Sequence, residues 1–172
     1  MKVVFVNIKY LKAITAFFII ALSLLFFYIY KATSEADRYV QVFAVQAGTE
    51  EDIEIFNVVE ERVVKSIKAN KKTINEAKSI MDSITGIYVK LNALPSDGYI
   101  IKIPFNPEIK ADNKWFVNYG INSIGKLFVV IPENKAPYLI ILDSKERPYL
   151  FNFSHDIDRL LNLLDFEIEK QT

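Results

Sequence analysis

The chain reads as an α+β protein, an N-terminal transmembrane helix followed by one domain in which an antiparallel sheet is packed by two helices. Three observations predict this. Residues 13–30 form an apolar run without a charge, a Pro or a Gly. As a helix that run is roughly 27 Å long, close to the hydrocarbon thickness of a bilayer. Downstream, short runs of Val, Ile and aromatic residues alternate with loops bearing Pro, Gly and Asp, the pattern of antiparallel strands. Two further stretches, starting at Thr73 and at Ser154, place apolar residues at helical spacing.

The charges around the apolar run predict its direction. Lys2, Lys9 and Lys12 precede it, and no acidic residue occurs in positions 1–31. Positive charge resists translocation, so residues 1–12 are expected to be a cytoplasmic tail and the C-terminal domain to lie outside. Tyr28 and Tyr30 fall at the outer end, where amphipathic rings favour the interface. The hydroxyls of Thr15 and Ser23 are expected to bond back to backbone carbonyls. Residues 31–38 form a short polar stalk and 39–172 the extracytoplasmic domain. Ser34 and Ala36 offer small residues for cleavage, so a secreted protein with a removed signal peptide is the rival reading. The run exceeds the about 7–15-residue core of a signal peptide and favours an uncleaved anchor. The lipid bilayer is thus the first expected partner.

Composition narrows the rest. The absence of Cys removes disulfides, thiol chemistry and thioether lipid anchoring. Residues 32–172 carry 17 basic and 21 acidic side chains, a net charge of −4. An outer domain of that charge is a poor partner for nucleic acid, and none is expected.

Within the domain, Tyr39–Ala47 reads as a strand closed by Gly48 and Thr49. Residues 50–68 admit two readings. Ile53, Phe56, Val59, Val63 and Ile67 fall at helical spacing, with Thr49 as a cap. Yet most apolar positions are β-branched, and Glu60-Glu61-Arg62 reads as a charged turn between two strands. The hairpin is favoured, because β-branched side chains lose rotamers in helices and pack well on sheets. Thr73–Ile84 follows as a helix with Ile74, Ala77, Ile80, Met81 and Ile84 on one face. A Thr73/Glu76 capping box is expected to open it and a left-handed Gly86 to close it.

Ile87–Leu91 alternates as a strand, Pro95-Ser96-Asp97-Gly98 is a turn, and Tyr99–Ile103 returns from it. Pro104 and Pro107 are expected to end that strand or hold it at an edge. Residues 105–123 show no regular period. Leu127–Ile131, Tyr138–Leu142 and Tyr149–Phe153 then form a meander. Ser154 is expected to cap the last helix, with Asp156 and Asp158 in its first turn and Ile157, Leu160, Leu161 and Leu164 buried.

Little in the sequence carries chemistry. The lone His155 sits between Ser154 and Asp156. Adjacency does not make a triad, and an exposed imidazole beside a helix cap is the expectation. One His and no Cys argue against a structural zinc site. Glu50, Glu51, Asp52 and Glu54 lack the alternation and central Gly of a calcium loop and read as a solvated turn or edge. The Gly residues form no phosphate loop. No catalytic residue, metal or cofactor is therefore assigned. Asn152-Phe153-Ser154 fits a glycosylation sequon overlapping a strand and a cap. Trp115, Phe116 and Tyr119 cluster in the irregular segment and are the candidate binding surface, set against a role in covering the sheet.

Val45-Gln46-Ala47-Gly48 resembles the opening of the peptidoglycan-binding sporulation-related repeat domain, over one strand and a turn. More broadly, Ile53-Glu54-Ile55-Phe56, Gly98–Pro104 and Pro137–Ile141 resemble the uncharacterised, membrane-anchored extracytoplasmic proteins of Gram-positive bacteria. That resemblance implies a location outside the membrane and transfers no site. The functional expectation is a non-catalytic binding or scaffolding module at the cell envelope with a membrane or cell-envelope protein partner. The alternative is an envelope hydrolase that uses carboxylates, whose pairing is spatial and invisible in sequence.

Overall fold

A computed structural model describes residues 18–27, 52–89, 94–142 and 147–168. The chain divides into two units, Met1–Gln46 and Ala47–Thr172. In the first, residues 18–27 form helix α1 with exposed side chains. The Ser23 hydroxyl donates to the Ile20 carbonyl at 2.8 Å, as expected of a hydroxyl in an apolar helix. Among the described residues no helix is long and apolar enough to cross a membrane. The described helix covers only part of the apolar run, and positions 13–17 and 28–30 lie outside the described residues. So do the expected strand Tyr39–Ala47 and the stalk.

The second unit is α+β. Its strands are β1 (Asp52–Asn57), β2 (Arg62–Lys68), β3 (Ile84–Ile87), β4 (Tyr99–Lys110), β5 (Ser123–Ile131), β6 (Tyr138–Leu142) and β7 (Pro148–Phe153). Its helices are α2 (Lys71–Asp82), α3 (Lys114–Asn118) and α4 (Asp158–Leu163). The strands form one seven-stranded sheet in the order β2-β1-β4-β5-β6-β7-β3, and the pairs are antiparallel. Helix α2 therefore links the strand at one edge, β2, to the strand at the other, β3.

Residues 52–68 form the hairpin. Its turn is held by Asn57, whose Oδ1 accepts from the amides of Val59 (3.0 Å) and Glu60 (3.1 Å). Glu61 takes a left-handed φ of 52°, which closes the turn. These are the local bonds that let Asn compete with helix formation.

Three boundaries differ from the sequence reading. Helix α2 is capped by Asn70, not Thr73. Asn70 Oδ1 accepts from Lys72 N (2.9 Å) and Thr73 N (3.1 Å), and Thr73 Oγ1 accepts from Asn70 N (3.0 Å). Thr73 is thus the last residue of the box rather than its first. Gly86 does not close the helix. Ser83 does, its hydroxyl donating to the Ile80 carbonyl at 2.7 Å, and Gly86 lies within β3 opposite Asn152. Strand β3 begins at Ile84, because β7 pairs with it there through Phe153.

Strand β4 runs on through Pro104 to Lys110. Its pairing with β1 ends at Lys102, so Pro104 and Pro107 owe no amide to that neighbour. Pairing with β5 carries on, irregularly between Pro104 and Ile109, and resumes at Ile109 opposite Ile124. The stretch read as irregular thus contains the end of β4 and the short helix α3. Gly98 has a φ of 86°, and a Cβ there would stand 2.1 Å from the Ile131 carbonyl oxygen, so the turn into β4 requires glycine.

The core lies on one face of the sheet. A row runs across five strands through Ile55, Ile101, Val129, Leu139 and Phe151, each at 0 % exposure. Ala77, Ile80 and Met81 of α2, Phe116 of α3, and Leu160, Leu161 and Leu164 join that cluster. Ser154 does not cap α4, whose N-cap position is Ile157 without a side-chain bond. Asp156 Oδ1 instead accepts from Asp158 N at 2.9 Å, and the Ser154 amide donates to the carbonyl of Ser83, the C-cap of α2, at 3.1 Å. On the opposite face, Phe128, Val130, Tyr138 and Ile140 are buried too, and Tyr88 stacks on Tyr138 with ring centroids 4.1 Å apart.

Candidate functional site

A concavity lies between the start of α2 and the far half of β4. It is an open groove of about 690 Å³. One wall is the 68–71 connection with Ile74, Asn75 and Lys78 of α2. The other is the 104–109 segment of β4. The sequence builds it in two steps. The Asn70 cap starts α2 immediately after β2, so the first turns of the helix stand beside the sheet. Strand β1 ends its pairing at Lys102, so β4 continues beyond it as a separate wall.

The two walls differ in charge. Lys71 and Lys78 are seven residues apart on α2, which places them on one helix face about 10.5 Å apart along the axis. Ile74 and Asn75 lie between them. Both lysines are exposed, and neither makes an ion pair among the described residues. Lys68 is held differently, with its Nζ 3.0 Å from Asp52 Oδ1. On the β4 wall, Glu108 accepts from the Ser123 hydroxyl at 2.6 Å and is thus engaged towards β5. The floor is apolar, from Pro104, Ile74, Ile109 and Phe105, the last only 4 % exposed. The arrangement offers cations, amide groups and an apolar floor, and it contains a single carboxylate.

The aromatic trio is distributed by depth. Phe116 is in the core, edge-on to Phe151 with centroids 5.7 Å apart. Trp115 is half-buried, and its indole Nε1 donates to the Ile84 carbonyl at 3.1 Å. Tyr119 is 37 % exposed and leans on Tyr149 (5.4 Å) and Phe151 (6.3 Å). Helix α3 brings the three together at the β7 side of the sheet, away from the groove.

Two titratable clusters were not visible in the sequence. Glu54, expected in a solvated acidic stretch, is 5 % exposed, and its Oε2 stands 2.6 Å from Lys102 Nζ. The two residues face each other across β1 and β4. Glu50 and Glu51 lie outside the described residues. The second cluster corrects the expectation of an exposed imidazole. His155 is half-buried, with Nε2 2.7 Å from Oε1 of the buried Glu76, whose Oε2 is 3.1 Å from Arg159 Nε. The His155 amide donates to Ser83 Oγ at 3.1 Å. Among the described residues no group of three or more His, Cys, Asp and Glu is arranged to hold a metal ion.

Comparison with protein-family models, curated proteins and solved structures finds no match to this chain.

Proposed function

We propose that the chain is a single-pass membrane protein whose outer domain is a non-catalytic binding module at the cell envelope. The apolar run 13–30 is its anchor, and the lysines before it orient the tail 1–12 to the cytoplasm. What supports binding is the groove between α2 and β4. It is open, of ligand-binding size, and carries two cationic side chains, Lys71 and Lys78, that make no ion pair among the described residues. Among the described residues lining it the one carboxylate is Glu108, bonded to Ser123, where glycoside hydrolysis needs two.

The test is sedimentation of the full chain, purified in detergent, with insoluble cell-envelope material. Co-sedimentation without release of soluble fragments is expected. Release of fragments would assign hydrolysis instead, and failure to co-sediment would remove the binding reading.

A further inference from the structure

We infer that the groove between α2 and β4 binds a phosphate-bearing chain that carries no bases. This rests on the reading of the groove as a binding site and names its ligand class. Four features argue for it.

The cations are positioned as a pair. Lys71 and Lys78 share one face of α2, with the groove in front of them and no ion pair among the described residues. Their backbone positions are about 10.5 Å apart along the helix, so each ammonium can meet a different charge of an extended chain. Their chemistry favours phosphate. The groove's cationic side chains are all lysines, mobile point charges with three donors each, and none is the planar fork that selects carboxylates in two-point contact. A phosphate group accepts such donors from any direction.

The space between the lysines favours a polyol or sugar linker. Asn75 and Asn106 are exposed on opposite walls, and each amide can donate to and accept from hydroxyls. The floor disfavours nucleic acid. Single-stranded nucleic acid is held by stacking its bases on aromatic faces, and the groove's one aromatic ring, Phe105, is 4 % exposed. Glu108 on the β4 wall repels an anion from that side, which confines the phosphates to the α2 wall.

The experiment is calorimetric titration of the full chain in detergent with three probes, namely inorganic polyphosphate, poly-L-glutamate and oligothymidylate. Polyphosphate is expected to bind more tightly than the other two. The double variant Lys71→Ala/Lys78→Ala is expected to weaken it by about tenfold or more. A control double variant, Lys114→Ala/Lys135→Ala, removes two exposed lysines elsewhere and is expected to leave binding unchanged. Thermal unfolding of each variant confirms that it is folded. Equal loss in both double variants would overturn the inference by showing general charge attraction. Tighter binding of polyglutamate or oligothymidylate would overturn the ligand class and leave the groove a binding site. Absence of binding to all three, with envelope co-sedimentation retained, would overturn the groove assignment and leave the binding-module reading standing.

Discussion

Lys102 and Glu54 form the least expected contact in the domain. Two charged side chains, 3 % and 5 % exposed, meet inside a sheet whose neighbouring positions are Phe128 and Ile100. Desolvating two ions costs several kcal/mol, and mutual attraction offsets this only while both partners are present. Replacing one alone leaves a bare buried charge. Lys102→Met is therefore expected to lower stability by about 3–5 kcal/mol, read from denaturant unfolding of the full chain. The double variant Lys102→Met/Glu54→Leu is expected to recover most of that loss. If the double variant were as unstable as the single one, the pair would not be the cause.

The elements are joined by helix α4, short and without a side-chain cap yet firmly placed. Leu160 and Leu164 are at 0 % exposure, so Leu160→Ala should cost about 2–5 kcal/mol. Polar contacts set its position. Glu76 of α2 receives both His155 and Arg159, and Lys65 of β2 meets the Asp165 carbonyl and carboxylate beyond the helix. Glu76→Ala should cost about 1–3 kcal/mol, the scale of a hydrogen bond to a charged group. In a double-mutant cycle, Glu76→Ala and His155→Ala should be non-additive, because each removes the same contact. A chain ending at Phe153 should be insoluble, since the face covered by α4 is apolar. Folding of that truncated chain as stably as the whole would show that α4 is dispensable.

For the whole molecule, the anchor reading makes a topological prediction. A reporter fused after Thr172 is expected to be active only outside the cytoplasm, and protease added to intact protoplasts is expected to remove the domain. Lys2→Glu, Lys9→Glu and Lys12→Glu together should weaken that orientation by removing the charge bias before the run. A protected C-terminus in the unaltered chain would refute the orientation. Exchanging residues 13–30 for an unrelated transmembrane helix separates two ways of meeting a partner. Activity retained after the exchange leaves the outer domain as the interacting surface. Activity lost with normal insertion assigns a partner to the apolar run itself, whose small residues are Ala13, Ala16, Ala21 and Ser23.

By itself the sequence determined the features that short-range chemistry controls. β-branched residues marked the hairpin 52–68, apolar runs between loops marked the meander β5–β7, and a leucine periodicity marked the buried face of α4, because side-chain alternation and rotamer loss act within a few residues. Only the tertiary structure decided between local signals of equal strength. Asn70 and Thr73 are both good caps, and in the folded chain the helix starts at the first, two residues after β2 ends at Lys68. Pro104 and Pro107 are strand breakers, yet β5 draws β4 past them where β1 no longer needs their amides. Glu54 looked solvated until its partner arrived from a distant strand. Neither wall of the groove is a motif: one is a helix face, the other the part of a strand that outruns its neighbour. Its lysines border a groove only because chain segments far apart in sequence are brought side by side.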